Sequence, residues 1–316
     1  MSPLQLRRYT AADASAWNAH VARAKNGTFL HDRRFVEYHR DRFVDASLIV
    51  EEDGTIVALL PANVSGDTLV SHAGLTYGGW VIDEAMSVER MVQLFELLSA
   101  FLREQGIAQR VRYKCVPTIY HRIPAEEEQY ALFRIGARLV RRDVSSAIAL
   151  GRSPALNGDR SRNVARAAKK GVRVGPSDDW SGFHGMLCDV YGARHGVAPV
   201  HSLEELQRLA GLFPTAIRLF EARDSVGSLL AAVLVFDTGE VAHTQYMVSS
   251  ADGRKCGALD AIIAQLLRHD FASRRFFNFG ISTEDDGRVL NAGLAYQKES
   301  FGGRAVVHDH YEFDVA

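Results

Sequence analysis

The chain has 316 residues, 47% hydrophobic and 24% charged. This is ordinary globular usage, which excludes wholesale disorder and fibrous repeats and, at about 150 residues per domain, calls for two domains. Basic and acidic side chains number 37 and 38, a formal net charge of -1, so a globally basic nucleic-acid binder is excluded.

In chain order, Leu4 to Tyr9 alternates like a strand, and Ala11 to Ala24 reads as a helix that Thr10 or Asp13 caps. A short helix holds Phe35, Val36 and Tyr38. Strand-like runs follow at Ser47 to Glu51, Ile56 to Leu60 and Thr68 to His72. Met91, Leu94, Phe95, Leu98, Phe101 and Leu102 recur at helical spacing, and Gly106 ends that helix. Val111 to Val116 is a strand, Glu126 to Gly136 a helix, and Leu139 to Leu150 a long strand.

The second half repeats this order. Val172 to Val174 is a strand, followed by helices at Trp180 to His195 and Leu203 to Leu212. Strands at Ile217 to Ala222, Leu229 to Phe236 and Val241 to Val248 lead to a helix at Ala258 to His269. A strand at Phe276 to Phe279, a helix at Leu290 to Glu299 and closing strands at Ala305 to Phe313 complete it. The expected division is 1–150, a turn-rich linker and basic helix at 151–171, and 172–316. Strand hairpins among the helices argue for α/β architecture with mixed sheets flanked by helices.

Cys115, Cys188 and Cys256 lie far apart, with no Cys-x-x-Cys pair, which fits a reducing compartment and offers no zinc ribbon. No metal motif occurs. No signal core opens the chain and no stretch nears about 18 apolar residues, so a cytoplasmic protein without a membrane span is expected.

The repeated order, with two helices after the first strand, resembles the GNAT acyltransferase fold in tandem. The resemblance implies an acyl-CoA site where two parallel strands splay, ahead of a Gln/Arg-x-x-Gly-x-Gly/Ala loop. Asp252 to Ala258 matches it through Arg254 and Gly257, with Leu259 in the third place. The implied cofactor-binding set is Val248, Gly253, Arg254, Lys255, Cys256, Gly257 and Ala258. The corresponding first-half segment, Trp80 to Met86, has two acids and no base. The acyl donor is therefore expected in the second half. The bland alternative is a glycine turn with a solvated Arg254–Lys255 pair.

Gly293 to Gly303 resembles the signature of the FemA/FemB/FemX branch through Lys298, Phe301 and Gly302, with Gln297 where that branch has Phe. That branch also has a basic helix ending in Lys-x-Gly, here Arg162 to Gly171. In this helix Arg162, Arg166, Lys169 and Arg173 form one stripe, and Ala165, Ala168 and Val172 a small one suited to close packing. The basic stripe reads as a solvated face or a phosphate clamp, with RNA ranked below.

Two first-half loops carry further polar groups. Ser71 to Gly79 has glycines that permit close approach of a ligand. Lys114 to Glu128 is stiffened by Pro117 and Pro124. The former loop also resembles one in GNAT-like proteins of surface-polysaccharide pathways, which act on nucleotide-linked amino sugars. Tyr77, Lys114, Tyr120, His121, Arg162 and Arg166 are the expected substrate contacts. His72 is the favoured general base, Glu284 the carboxylate alternative, and Lys298 a group for oxyanion or phosphate charge.

The favoured expectation is an N-acyltransferase moving an acyl group from acyl-CoA to a small-molecule amine, on a nucleotide-linked amino sugar. The alternatives are a FemX-like transferase that uses aminoacyl-tRNA on a peptidoglycan precursor, and a non-catalytic GNAT-like scaffold. DNA is not an expected partner; tRNA is expected only under the FemX-like alternative.

Overall fold

The computed structural model describes residues 3–151, 156–195 and 199–315, without the side chains of 193–195. Of the expected turn-rich tip at 152–159, residues 152–155 lie outside them, and Gly158 and Asp159 belong to a helix. In chain order the elements are β1 (Gln5–Arg8), α1 (Ala14–Arg23), α2 (Arg33–Val36), β2 (Val44–Asp45), β3 (Leu48–Glu52), β4 (Thr55–Leu60), β5 (Asn63–Ser65), β6 (Thr68–Val70) and β7 (Val81–Ile82). Next come α3 (Val88–Glu104), β8 (Arg110–Lys114), α4 (Glu127–Arg134), β9 (Arg138–Ala149), α5 (Gly158–Lys169), β10 (Arg173–Ser177), α6 (Trp180–His195) and α7 (Leu203–Leu212). The chain ends with β11 (Ile217–Arg223), β12 (Leu229–Asp237), β13 (Val241–Ser249), α8 (Ala251–Cys256), α9 (Ala258–Gln265), β14 (Phe276–Ile281), β15 (Thr283–Glu284), β16 (Val289–Leu290), α10 (Ala292–Glu299) and β17 (Arg304–Asp314). Among the described residues no helix is long and apolar enough to cross a membrane.

Two compact units result: residues 1–144, 283–289 and 307–316, and residues 145–282 and 290–306. A single cut at 150 does not reproduce them, because the C-terminal strand returns to the first unit. His310 to Asp314 of β17 pairs antiparallel with Lys114 to Arg110 of β8.

In the first unit, β1, β3, β4 and β7 form an antiparallel sheet. β2, β5, β6 and β8 continue from β17 as a second one, with β6 and β8 parallel. Ser87 caps α3 by accepting from the Arg90 amide. α3 buries Met91, Leu94, Phe95, Leu98 and Leu102 along the expected face, against Val50, Leu60 and Val111. Each such side chain contributes roughly 1.5–3 kcal/mol by leaving water.

In the second unit, β10 to β13 form an antiparallel run, β14 joins β13 in parallel, and residues 145–149 of β9 pair antiparallel with β14. α9 lays Ile262 and Ile263 against this sheet, and the turn after it adds Leu266 and Leu267.

α5 packs through a different stripe from the expected one. Ala165 and Ala168 are exposed, whereas Ala167 is buried and Arg160, Asn163 and Val164 are half-buried. The reason is polar. Arg160 donates to Asp260 (3.0 Å) and Ser300 (2.7 Å) and lies 4.3 Å over the Phe301 ring, and Asn163 also donates to Asp260. Gly257, at φ +81°, has the Asn163 carbonyl 2.5 Å from where a Cβ would stand, so a side chain would part α5 from α9.

Arg160→Met should therefore lower unfolding free energy by roughly 2 kcal/mol in a urea titration, since it strips Asp260 of its cation. Arg162→Met, whose partner Asp159 is exposed, should cost less than about 0.5 kcal/mol. Equal effects would contradict this packing.

Candidate functional site

β13 and β14 keep parallel register only from Val241↔Phe276 to His243↔Asn278. Three features hold them apart beyond that point. β13 bulges at Gln245, where its pairing with β12 shifts between Tyr246 and Thr244. β14 turns at Gly280 (φ +74°), whose amide donates to the Asn278 side chain at 2.8 Å. Lys298, buried on α10, donates its ammonium to the Gly280 and Ile281 carbonyls at 2.9 and 2.5 Å. These carbonyls would otherwise need a strand partner. Burial lowers the Lys298 pKa to about 8.

At the end of β13 opens a cavity of about 610 Å³. Its lining includes Gly182, Gly185 and Met186 of α6, Leu229 of β12, Ser250 and Arg254. Arg254 is held by the Ser249 carbonyl at 2.7 Å.

The segment read as an anion-cradling loop is the helix α8. Ser250 caps it, accepting from the Gly253 amide, while the Arg254 and Gly257 amides bond to the Ser250 and Gly253 carbonyls. Val248, Cys256 and Ala258 are buried, with Cys256 donating to the Gly253 carbonyl. A Cβ on Gly253 would meet the Leu230 carbonyl at 2.0 Å, so this glycine serves packing. Lys255 is exposed beside Asp252. Of the seven expected donor contacts, only Arg254 lines the cavity.

In the first unit the two polar loops do meet. The Tyr77 and Tyr120 rings lie 4.4 Å apart, and Tyr77 donates to Thr28. The Lys114 amide donates to Ser71 Oγ at 2.7 Å, and its ammonium to the Ala73 and Leu75 carbonyls. His121 pairs with the Val116 carbonyl at 2.9 Å. All four residues are buried. The loop glycines admit the protein's own side chains: a Cβ on Gly74 would stand 2.3 Å from the His39 ring.

His72 has φ +54° and stacks on His39 with ring centroids 5.1 Å apart. Burial lowers its pKa to about 3, which makes it a poor base at neutral pH. Glu284 is exposed on β15 in this unit. Arg162 and Arg166 are exposed on α5; Arg162 pairs with Asp159 and Arg166 donates to the Lys255 carbonyl at 3.4 Å.

No family model matches the chain, and no curated protein does. Solved structures do. A FemX structure superposes with TM-score 0.68 over 96% of both chains at 13% identity. L-PGS from Bacillus licheniformis gives 0.61 over 95% of this chain and 90% of its own, also at 13%. A tandem GNAT protein from the clavulanic acid biosynthesis pathway gives 0.54 over 99% of both at 12%. The fold is tandem GNAT-like. Identities this low speak for fold alone.

Each GNAT-like unit also contains polar groups that the sequence did not single out. The Tyr113 hydroxyl, which accepts from the Trp80 amide at 2.6 Å, donates to the buried Glu128 carboxyl. Lys25 and Glu127 form a 2.6 Å ion pair with only 4% of the Lys25 side chain exposed. In the second unit His201 pairs with the Tyr246 hydroxyl at 2.7 Å. The three glutamates after Pro124 read as a helix start; the partners of Glu127 and Glu128, Lys25 and Tyr113, come from other elements.

Burial raises the Glu128 pKa from 4.5 to about 8. Between those values the folded protein holds a proton that the unfolded chain has lost, so rising pH favours unfolding. Glu128→Gln should flatten the stability-versus-pH curve across this window relative to wild type. Parallel curves for the two proteins would show that Glu128 is ionised in the fold.

Proposed function

We propose that the protein is an acyl-CoA-dependent N-acyltransferase, with the donor at the second unit's parted strands and the amine acceptor recognised by the first unit. The observation that carries this reading is the loss of β13–β14 register after His243, with a cavity of about 610 Å³ where β13 ends at Ser249. An unpaired strand edge offers backbone donors and acceptors to an amide-bearing arm. The cavity fits such an arm. Gly185 leaves room along α6, Met186, Val190 and Leu229 give apolar wall, and Arg254 supplies a cation for a diphosphate, with Asp189 the acid in the lining. Acyl-CoA would supply a thioester carbonyl open to attack by an amine.

Lys298 has a positioning role in this reading: it fixes the end of β14 and so keeps the strands apart. The acceptor class proposed is a nucleotide-linked amino sugar for surface polysaccharide. It is supported by the resemblance of the Ser71 to Gly79 segment.

A second reading, a FemX-like transferase using aminoacyl-tRNA, is favoured by the exposed row Arg162, Arg166, Lys169 and Arg173 on and after α5. Such a row suits a phosphate backbone. Charged tRNA binding at low salt that weakens on Arg162→Glu would support it.

Under the main reading, CoA should raise the melting temperature. Acetyl-CoA with nucleotide amino sugars should release free thiol, and Arg254→Glu should weaken CoA binding roughly tenfold. Absence of both CoA binding and thiol release would overturn it.

A further inference from the structure

The first unit has a parallel pair of its own. β6 and β8 run in register from Thr68↔Arg110 to Val70↔Arg112. Beyond Val70 lies a cavity of about 330 Å³, lined among others by Ala73, Arg112, Lys114, Arg141, His310 and one acid, Asp286. Arg112 and Lys114 are two apart on β8 and share a face, and Arg141 comes from β9.

Three cations meet three carboxylates here, and one cation is left without a direct carboxylate partner. Arg112 pairs with Glu312 at 3.3 Å, and Arg141 with Asp143 at 2.7 Å and Asp286 at 2.6 Å. Lys114 is buried and bonds only to neutral acceptors, the Ala73 and Leu75 carbonyls; among the described residues no carboxylate pairs with it. Burial without a counter-charge lowers its pKa to about 7. His310 is also pushed down, to about 4, and adds no negative charge. A buried cation on neutral carbonyls is costly, and an anion beside it offsets that cost.

We propose that this cavity is a phosphoryl subsite, with Arg112, Arg141 and Lys114 as its ligands. Arg112 gives one nitrogen to Glu312 and Arg141 two to Asp143 and Asp286, so the remaining guanidinium N–H groups and the Lys114 ammonium are the donors a group with three terminal oxygens would use. The inference rests on the assignment of the acceptor to the first unit, and it adds which residues there hold a phosphoryl group of that acceptor. Sequence position hides the site, since Arg112, Arg141 and His310 are scattered over three strands.

The test is calorimetric titration of the full chain with inorganic phosphate and, separately, with UDP, alongside CoA as a reference for the second unit. Both phosphoryl ligands should bind wild type. Arg112→Gln, an exposed change, and Arg141→Lys, which keeps the charge and loses the fork, should each weaken binding about tenfold, with CoA affinity unchanged. UDP binding well above phosphate identifies a nucleotide-linked source; equal affinities identify a lone phosphoryl group. Lack of binding by either ligand, or binding indifferent to both substitutions, overturns the subsite. Loss of CoA binding alone would count against the donor reading instead.

Discussion

Two neighbouring parallel strands that part company leave backbone carbonyls and amides without ladder partners, and an unmet buried backbone group costs about as much as a lost hydrogen bond. Both units face this constraint and meet it alike, with one buried lysine. In the second unit Lys298 takes the Gly280 and Ile281 carbonyls at the end of β14. In the first, Lys114 takes the Ala73 and Leu75 carbonyls beyond β6. Each ammonium is desolvated, and each pKa falls, to about 8 and about 7. The lysines thus make these carbonyls without ladder partners tolerable; the second unit has a cavity at the end of β13 and the first unit one beyond β6.

The two openings differ in chemistry. The second unit's is walled by glycines, apolar side chains and two serines, with one cation, Arg254, and one acid, Asp189. The first unit's is smaller and has three cations, Arg112, Lys114 and Arg141, with one acid, Asp286. This contrast underlies the proposed division of labour between donor and acceptor. A deeper contrast lies in the buried polar groups. Glu128 and Tyr113, Lys25 and Glu127, and the His39–His72 stack tie the first unit's loops down, so its expected contact residues are buried.

Much of the fold was legible because it follows from local periodicity. The α3 stripe from Met91 to Leu102 and the duplicated element order needed only spacing. The short strands β2, β5, β7, β15 and β16 were not legible, since two or three residues carry no period. The helix α8 was read as a loop through the resemblance carried by Arg254 and Gly257, with a turn at Gly253 as the alternative; Gly253 answers the Leu230 backbone instead. The same limit applies to the site. Lys298 and Lys114 were visible as motif residues, but their role depends on carbonyls brought to them by the fold. Arg160 was passed over within a basic run because its acid, Asp260, lies 100 residues on.

The central claim is that the parted edge of β13 receives an acyl donor. Amide hydrogen exchange of the full chain, with and without CoA, addresses it directly. Protection that appears at residues 244–249, with the first unit's β6–β8 segment unchanged, is the predicted result. CoA-induced protection confined to other segments, with 244–249 exchanging as before, would contradict it.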